Sequence, residues 1–182
     1  MKELSLYILD IAQNSVAAGG RLISVALTAD TAADLFSFEI SDDGRGMSAE
    51  TLKTVTDPFT TSRKTRKVGL GLGLLKSACE QSGGRLEITS AEGRGTTLWA
   101  SFGISHIDRV PLGDIAATVA ALVNSAADYR LVFSVKSDYG EFALDSDEIK
   151  SILDGLDIRR AEVAEFVRGY VRENTAELLK NI

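Results

Sequence analysis

Cysteine and histidine are nearly missing from this chain, which holds one of each, Cys79 and His106, in 182 residues. A lone cysteine excludes an internal disulfide. Without a second cysteine at metal-ligand spacing a structural zinc has no ligand set, so a reducing compartment is the simplest reading. Nor does Cys79 have another Cys or His nearby from which a nucleophile could be built; it reads as core. Long apolar runs are also lacking. The N-terminus MKELSLYILDIAQNS carries acids inside its apolar stretch and only Lys2 as a leading base, so it fits neither a signal peptide nor a membrane span, and the expected location is cytoplasmic. Basic charge is in deficit, 20 Lys and Arg against 26 Asp and Glu for a net −6, which argues against a protein that coats nucleic acid through bulk charge. There is no internal repeat.

What remains is an ordinary globular composition, 45% hydrophobic and 25% charged, in a length that fits one full domain plus a smaller appendage. From Glu3 to Ala18 apolar residues recur at helical spacing, and Gly19-Gly20 supplies the stop. Two β-patterned runs, Arg21 to Thr28 and Leu35 to Ser41, predict a hairpin. A short helix is expected from Ser48, whose hydroxyl can cap it, to a point before Pro58. Thr60 to Leu74 reads as a basic loop feeding a helix from about Leu74 to Ser82. Arg85 to Ala91 and Thr96 to Phe102 predict a second hairpin, with Trp99 packed in its strand. After Gly103 the texture changes, so a boundary is placed near residue 104, giving regions 1–103 and 104–182. The second is expected to hold a helix from Leu112 to Ala127, strands around Tyr129 to Val135 and Gly140 to Leu144, and two closing helices. The last of these is expected to bury Val163, Phe166, Val167, Tyr170 and Val171.

Three motifs carry chemistry. Asp10 and Asn14 lie four apart and so share a helix face, where a carboxylate and an amide oxygen can hold a water and a Mg²⁺ against phosphate; on their own they read first as solvent-facing polar residues of an amphipathic helix. DDGRGM, Asp42 to Met47, follows a β-run directly. A carboxylate there can accept a hydrogen bond from an exocyclic amine, and glycine lets a planar ligand approach the backbone, although a plain acidic turn has the same composition. GLGLGL, Gly69 to Leu74, sets three alternate glycines ahead of a helix, a site for an anion such as triphosphate, or simply a flexible loop. It is neither the dinucleotide fingerprint nor a Walker loop, because the glycine spacing differs and no GK[ST] is present.

Taken in chain order, these motifs resemble the ATP-binding module shared by gyrase B, the ninety-kilodalton chaperone, histidine kinases and MutL. The match covers about residues 3 to 103. ILDIAQNSVAAGGRLI is similar to the family's N box, with Asp10 where a Glu base is usual and Asn14 at the magnesium-binding Asn. DDGRGM is similar to the adenine box. The resemblance implies that Asp42 receives the adenine amine while Gly44, Gly46 and Met47 line the base. DPFTTSRK contributes Phe59, Thr60, Thr61, Arg63 and Lys64. By the same resemblance Gly69, Leu70, Gly71, Leu72, Gly73 and Leu74 are expected to contact phosphate, and the closing GTT to bring Thr97 near the adenine. Arg63, Lys64, Arg66 and Lys67 then form an ATP lid, a nucleic-acid patch being the weaker alternative for want of interleaved aromatics.

The fold implied is an α/β two-layer sandwich, helices on a mixed, mostly antiparallel sheet of the Bergerat type, with a small α/β C-terminal extension that binds a protein partner or completes a homodimer. The cofactors implied are ATP and Mg²⁺. QNSVAAGGRLI is most similar to the MutL branch, whereas the stretch through GLGLGLLKSACEQSGG and GRGTT is closer to a histidine kinase. Asp is one methylene shorter than Glu, so slow or no hydrolysis is expected and Asp10 is the candidate catalytic residue. The expectation is therefore a nucleotide-dependent switch or weak ATPase, the alternative a protein kinase of the sensor or anti-sigma type. Ser105 to Leu112 is also similar to the box that carries a sensor kinase's phosphoaccepting histidine, although here it follows the ATP module. His106 is thus either a phosphoacceptor or a linker residue that packs or caps the next helix.

Overall fold

Helix α1 (Leu4–Ala17) turns Leu4, Tyr7, Ile8, Ile11, Ala12 and Ser15 inward at 3.6-residue spacing. Its leading N–H groups are satisfied from far along the chain, Leu4 N donating to Pro111 O (2.9 Å) and Ser5 N to Leu112 O (2.8 Å). Gly19 closes it at φ +82, a left-handed stop in which its N–H bonds Val16 O. The computed structural model from which this description is drawn covers residues 3–55, 69–126 and 128–182.

Strands β1 (Leu22–Asp30) and β2 (Leu35–Asp42) form the expected hairpin, in register from Ile23 opposite Asp42 to Asp30 opposite Leu35. Helix α2 (Ala49–Thr54) starts at Ser48, whose Oγ accepts from Thr51 N. Helix α3 (Gly69–Gln81) begins five residues before the point that its glycines suggest. Glycine disfavours a helix interior by about 1 kcal/mol, yet Leu72, Leu75, Ala78 and Cys79 bury one face of α3, and that burial overrides propensity. Strands β3 (Leu86–Ala91) and β4 (Gly95–Gly103) follow as predicted. Then come α4 (Ile115–Asn124), β5 (Arg130–Ser137), β6 (Gly140–Asp145), α5 (Ser146–Ile152) and α6 (Ala161–Thr175).

The six strands of the described residues make one sheet in the order β3-β4-β2-β1-β5-β6, antiparallel except for the parallel pair β1–β5. The sheet therefore runs on across residue 104, because β5 adds to the free edge of β1. Its inner face carries Val25, Phe38, Ile40, Phe102, Leu131 and Phe133, all essentially inaccessible. Helix α1 packs on β1 and β2, α3 on β3 and β4, and α4 on β5 and against α1. Burying each such side chain stabilises the fold by about 1.5–3 kcal/mol. The opposite face bears Thr28, Glu39, Glu87 and Lys136, and open solvent suits it. This is the α/β two-layer, mostly antiparallel architecture expected.

One expectation about the tail is corrected. Helix α6 buries Val163, Val167, Val171 and Thr175 against α4, whereas Phe166 is 66% and Tyr170 44% exposed. A residue three places on from a valine of this stripe turns about 60° off it, which carries both rings onto the flank. Among the described residues, no helix is long and apolar enough to cross a membrane.

Candidate functional site

The two aspartates of DDGRGM take different tasks because neighbouring strand residues face opposite ways. Asp43 turns back to the start of β1 and accepts from Arg21 N (2.6 Å) and Leu22 N (2.9 Å), the Leu22 N–H doing most to hold its carboxyl below the usual range. Asp42 turns inward, half-buried. Its Oδ2 accepts from Ser15 Oγ at 2.6 Å and its Oδ1 from Gly44 N at 2.9 Å. An ionised carboxylate has about four acceptor positions, so two bonds orient Asp42 and leave it able to accept from a ligand.

Glycines clear the space around it. A Cβ on Gly44 would stand 2.9 Å from Asp42 Oδ1 and 3.0 Å from Ala18 O, and one on Gly20 only 3.3 Å from Asp42 Cβ. Gly46, at φ +65, lies against the β3–β4 turn, where a Cβ would fall inside the van der Waals surface of Ala91 O and 3.0 Å from Gly95 O. Two bonds fasten the same contact, Gly93 N to Arg45 O (2.7 Å) and Met47 N to Ser90 Oγ (2.8 Å). Met47 itself is half-buried against the core. Gly46 thus joins two turns.

Asp10 and Asn14 project from α1, both partly exposed, and Asn14 directly precedes the Ser15 that grips Asp42. Gly69, Gly71 and Gly73 lie in the opening turns of α3 rather than in a loop before it. Leu70 shares that helix, Leu72 enters the core, and Leu74 is exposed. Phe59, Thr60, Thr61, Arg63 and Lys64, with the rest of the basic loop, lie outside the described residues.

The structure does not bring Thr97 to Asp42. In the β2–β4 register Asp42 stands opposite Thr96, whereas Thr97 pairs with Ser41 on the other face. There it lines an open cavity of about 360 Å³ with Glu39, Arg85, Glu87, Thr89 and Trp99, the Arg85 guanidinium lying 5.2 Å from the Trp99 ring centre. Thr96 Oγ1 is 2.9 Å from Ser90 Oγ, which in turn receives Met47 N. Ser15, Ser90 and Thr96 are thus neighbours of Asp42 and its turn that motif reading passes over. Counting strand parity back from the buried Leu98 would have selected Thr96 over Thr97. His106 sits exposed in a turn after β4, its Nδ1 accepting from Asp108 N (3.2 Å); α4 is capped instead by Asp114, which accepts from Ala117 N. Cys79 is fully buried, and burial pushes its thiol pKa up to about 12.

An inward carboxylate ringed by glycines, beside a helix that bears Asp10 and Asn14, reproduces in space the motifs that the sequence sets in line. The family model of histidine kinase-, DNA gyrase B- and HSP90-like ATPases matches residues 2–106. The chain belongs to this family. Sensor histidine kinases are among the curated proteins to which it is similar. It is 30% identical over 107 residues to the sensor histidine kinase ZraS of Escherichia coli K12, covering 58% of this chain and 23% of that protein. It is 31% identical over 105 residues to the non-motile and phage-resistance protein of Caulobacter vibrioides, covering 55% and 12%. The chain thus spans about a quarter or less of these relatives. Among solved structures it is similar to the N-terminal domain of a DNA repair protein, with a TM-score of 0.52 at 15% identity over 79% of this chain and 52% of that one. At that identity the likeness is one of fold. Covering 79% of the chain, it takes in more than residues 2–106 and so includes part of the region that follows them.

Proposed function

We propose that this histidine kinase-like ATPase domain binds Mg-ATP between α1, the Asp42 turn and the opening of α3, and acts as a nucleotide-dependent switch with slow hydrolysis or none. The observation that carries the proposal is Asp42, oriented by Ser15 and the Gly44 N–H and kept clear of side chains by Gly20 and Gly44. A carboxylate so held would accept the exocyclic amine of adenine and discriminate against a base that presents a carbonyl there. Thr96 would complete the polar edge around the base. The opening turn of α3 would direct backbone N–H groups to phosphate oxygens.

The residues present also fit a magnesium ion that arrives with the nucleotide. Among the described residues no group of three His, Cys, Asp or Glu side chains could hold a metal alone. Asn14 would therefore supply one oxygen ligand and the phosphates others. When bound, the ion would neutralise phosphate charge. Asp10 would hold a water near the γ-phosphate, but with a side chain one methylene shorter than Glu it would accept a proton from that water inefficiently.

A second reading, transfer of the γ-phosphate to a protein, is favoured by the naming of the curated relatives as sensor kinases. Incubation with labelled ATP separates the two. A switch leaves no label on any polypeptide, whereas a kinase labels its acceptor, and label on the chain that vanishes in His106→Ala would assign this residue as the acceptor.

A further inference from the structure

Glycine follows aspartate twice in this chain, at Asp43-Gly44 and Asp154-Gly155, and never follows asparagine. The dipeptide has a chemistry of its own. A backbone nitrogen can attack the side-chain carboxyl of the aspartate before it, and glycine, lacking a Cβ, neither screens that nitrogen nor hinders the rotation that brings it round. The structure treats the two pairs in opposite ways. At the first pair the reacting groups are all engaged. The Asp43 carboxylate accepts from Arg21 N (2.6 Å) and Leu22 N (2.9 Å), and the nitrogen that would attack it, Gly44 N, donates to Asp42 Oδ1 (2.9 Å). Gly44 is also buried, with a Cβ there falling 3.0 Å from Ala18 O.

Asp154 and Gly155 lie between α5 and α6, both exposed. They are the central residues of a turn that a single bond closes, Leu156 N donating to Leu153 O (3.0 Å). Both have left-handed backbones, Asp154 at φ +45 and Gly155 at φ +88. That conformation is disfavoured for an L-residue, so opening the turn relieves Asp154 of a cost. A Cβ added at Gly155 would meet no atom within 4 Å, which leaves room around its nitrogen. The cations nearest in sequence, Lys150 and Arg159, pair instead with Asp147 (2.8 Å) and Asp157 (2.7 Å).

We propose that Asp154 is a site of spontaneous isomerisation to isoaspartate, from which the Asp42 turn protects Asp43. Gly155 N attacks Cγ of the protonated Asp154 carboxyl. The N–Cγ bond forms, the Cγ–OH bond breaks, and the hydroxyl leaves with the nitrogen's proton as water, giving a five-membered succinimide. Water then opens the ring. Addition at Cγ restores aspartate, whereas addition at the main-chain carbonyl breaks the bond from that carbon to nitrogen, so that the chain runs on through Cβ and Cγ and the α-carboxylate becomes a side group. The water lost is regained, and no other reactant is consumed. The main chain is lengthened by one carbon just ahead of α6.

The test is ageing of the intact chain at neutral pH without nucleotide, so that its outcome is independent of the ATP reading. Trypsin releases the two sites in separate peptides, 22–45 and 151–159, in which electron-transfer fragmentation distinguishes isoaspartate from aspartate. Three hydrogen bonds must open at the first site and one at the second, so isoaspartate should accumulate about 30-fold faster at position 154 than at position 43. In urea, where both turns are lost, the two sites should convert at similar rates. Asp154→Glu, which would have to close a six-membered ring, should abolish the product in peptide 151–159. No isoaspartate at position 154, as much at position 43, a difference that persists in urea, or undiminished product in Asp154→Glu would overturn the proposal.

Discussion

Alanine at Gly46 should unfold the protein far more readily than alanine at Gly93, although both glycines have left-handed backbones, φ +65 and φ +71. The backbone penalty for an L-residue there, about 1–2 kcal/mol, is common to the two and cancels in the comparison. What differs is the surroundings. A Cβ on Gly93 meets nothing within 4 Å, whereas one on Gly46 would lie 2.7 Å from Ala91 C and closer still to Ala91 O. These are backbone atoms of β3 and cannot rotate away, so the Asp42 turn must lift off the β3–β4 turn. The bonds from Gly93 N to Arg45 O and from Met47 N to Ser90 Oγ then stretch or break, each at about 1 kcal/mol. Gly46→Ala should therefore cost about 3–4 kcal/mol and Gly93→Ala about 1–2 kcal/mol, a gap of about 2 kcal/mol. Urea denaturation followed by the fluorescence of Trp99, the only tryptophan, measures both. Equal midpoints at equal slopes would refute the claim that Gly46 is required for close approach rather than for its backbone angle.

Four further outcomes are expected. Thr96→Val should weaken Mg-ATP binding several-fold and Thr97→Val should leave it unchanged in calorimetry, because only Thr96 shares a sheet face with Asp42; the reverse order would show the register to be wrong. Phe133→Ala, in the strand that extends the sheet beside Val25, should destabilise the chain by about 3–5 kcal/mol and keep a single thermal transition; two separated transitions would mean that residues 104–182 unfold independently. The Asp114 carboxyl is held below its usual pKa, first by the Ala117 N–H and then by Arg168, so the stability it contributes is present above the unfolded value near about 3.9 and is lost as pH falls through the folded one. Asp114→Asn should flatten the acid limb of stability against pH, and an unchanged limb would count against this linkage. Cys79, buried and with its thiol pushed up to about 12, should react with Ellman's reagent at pH 8 only as fast as the protein opens, and immediate labelling would contradict the packing of α3.

Where local chemistry and tertiary packing point the same way, the fold is legible from residue order alone. Helix α1 is readable because its apolar period and the Gly19 stop agree, and both hairpins because alternation and turn residues agree. The opening of α3 is not, since three glycines argue for loop and only the burial of Leu72 and Leu75 argues for helix. The tail shows the same limit. Val163, Phe166, Val167 and Tyr170 all read as one apolar face, but α4 covers only the valines. Continuation of the sheet through β5 is a long-range pairing that no local pattern announces. Within the site, Asp42, Gly44 and Asn14 were legible as motif residues. Ser15 and Thr96 were not, because their place beside Asp42 depends on the α1–β2 contact and the β2–β4 register.

Isothermal titration of the intact chain with ATP in the presence of Mg²⁺, set beside the isosteric variant Asp42→Asn, tests the central claim most directly. Replacing the carboxylate removes a charge-assisted acceptor for the adenine amine, a loss of about 1.5–3 kcal/mol. The account predicts saturable binding by the wild type and at least tenfold weaker binding by Asp42→Asn, with the nucleotide-free melting temperatures within a few degrees of each other. No heat of binding from the wild type, or equal affinity in the two proteins, would contradict it.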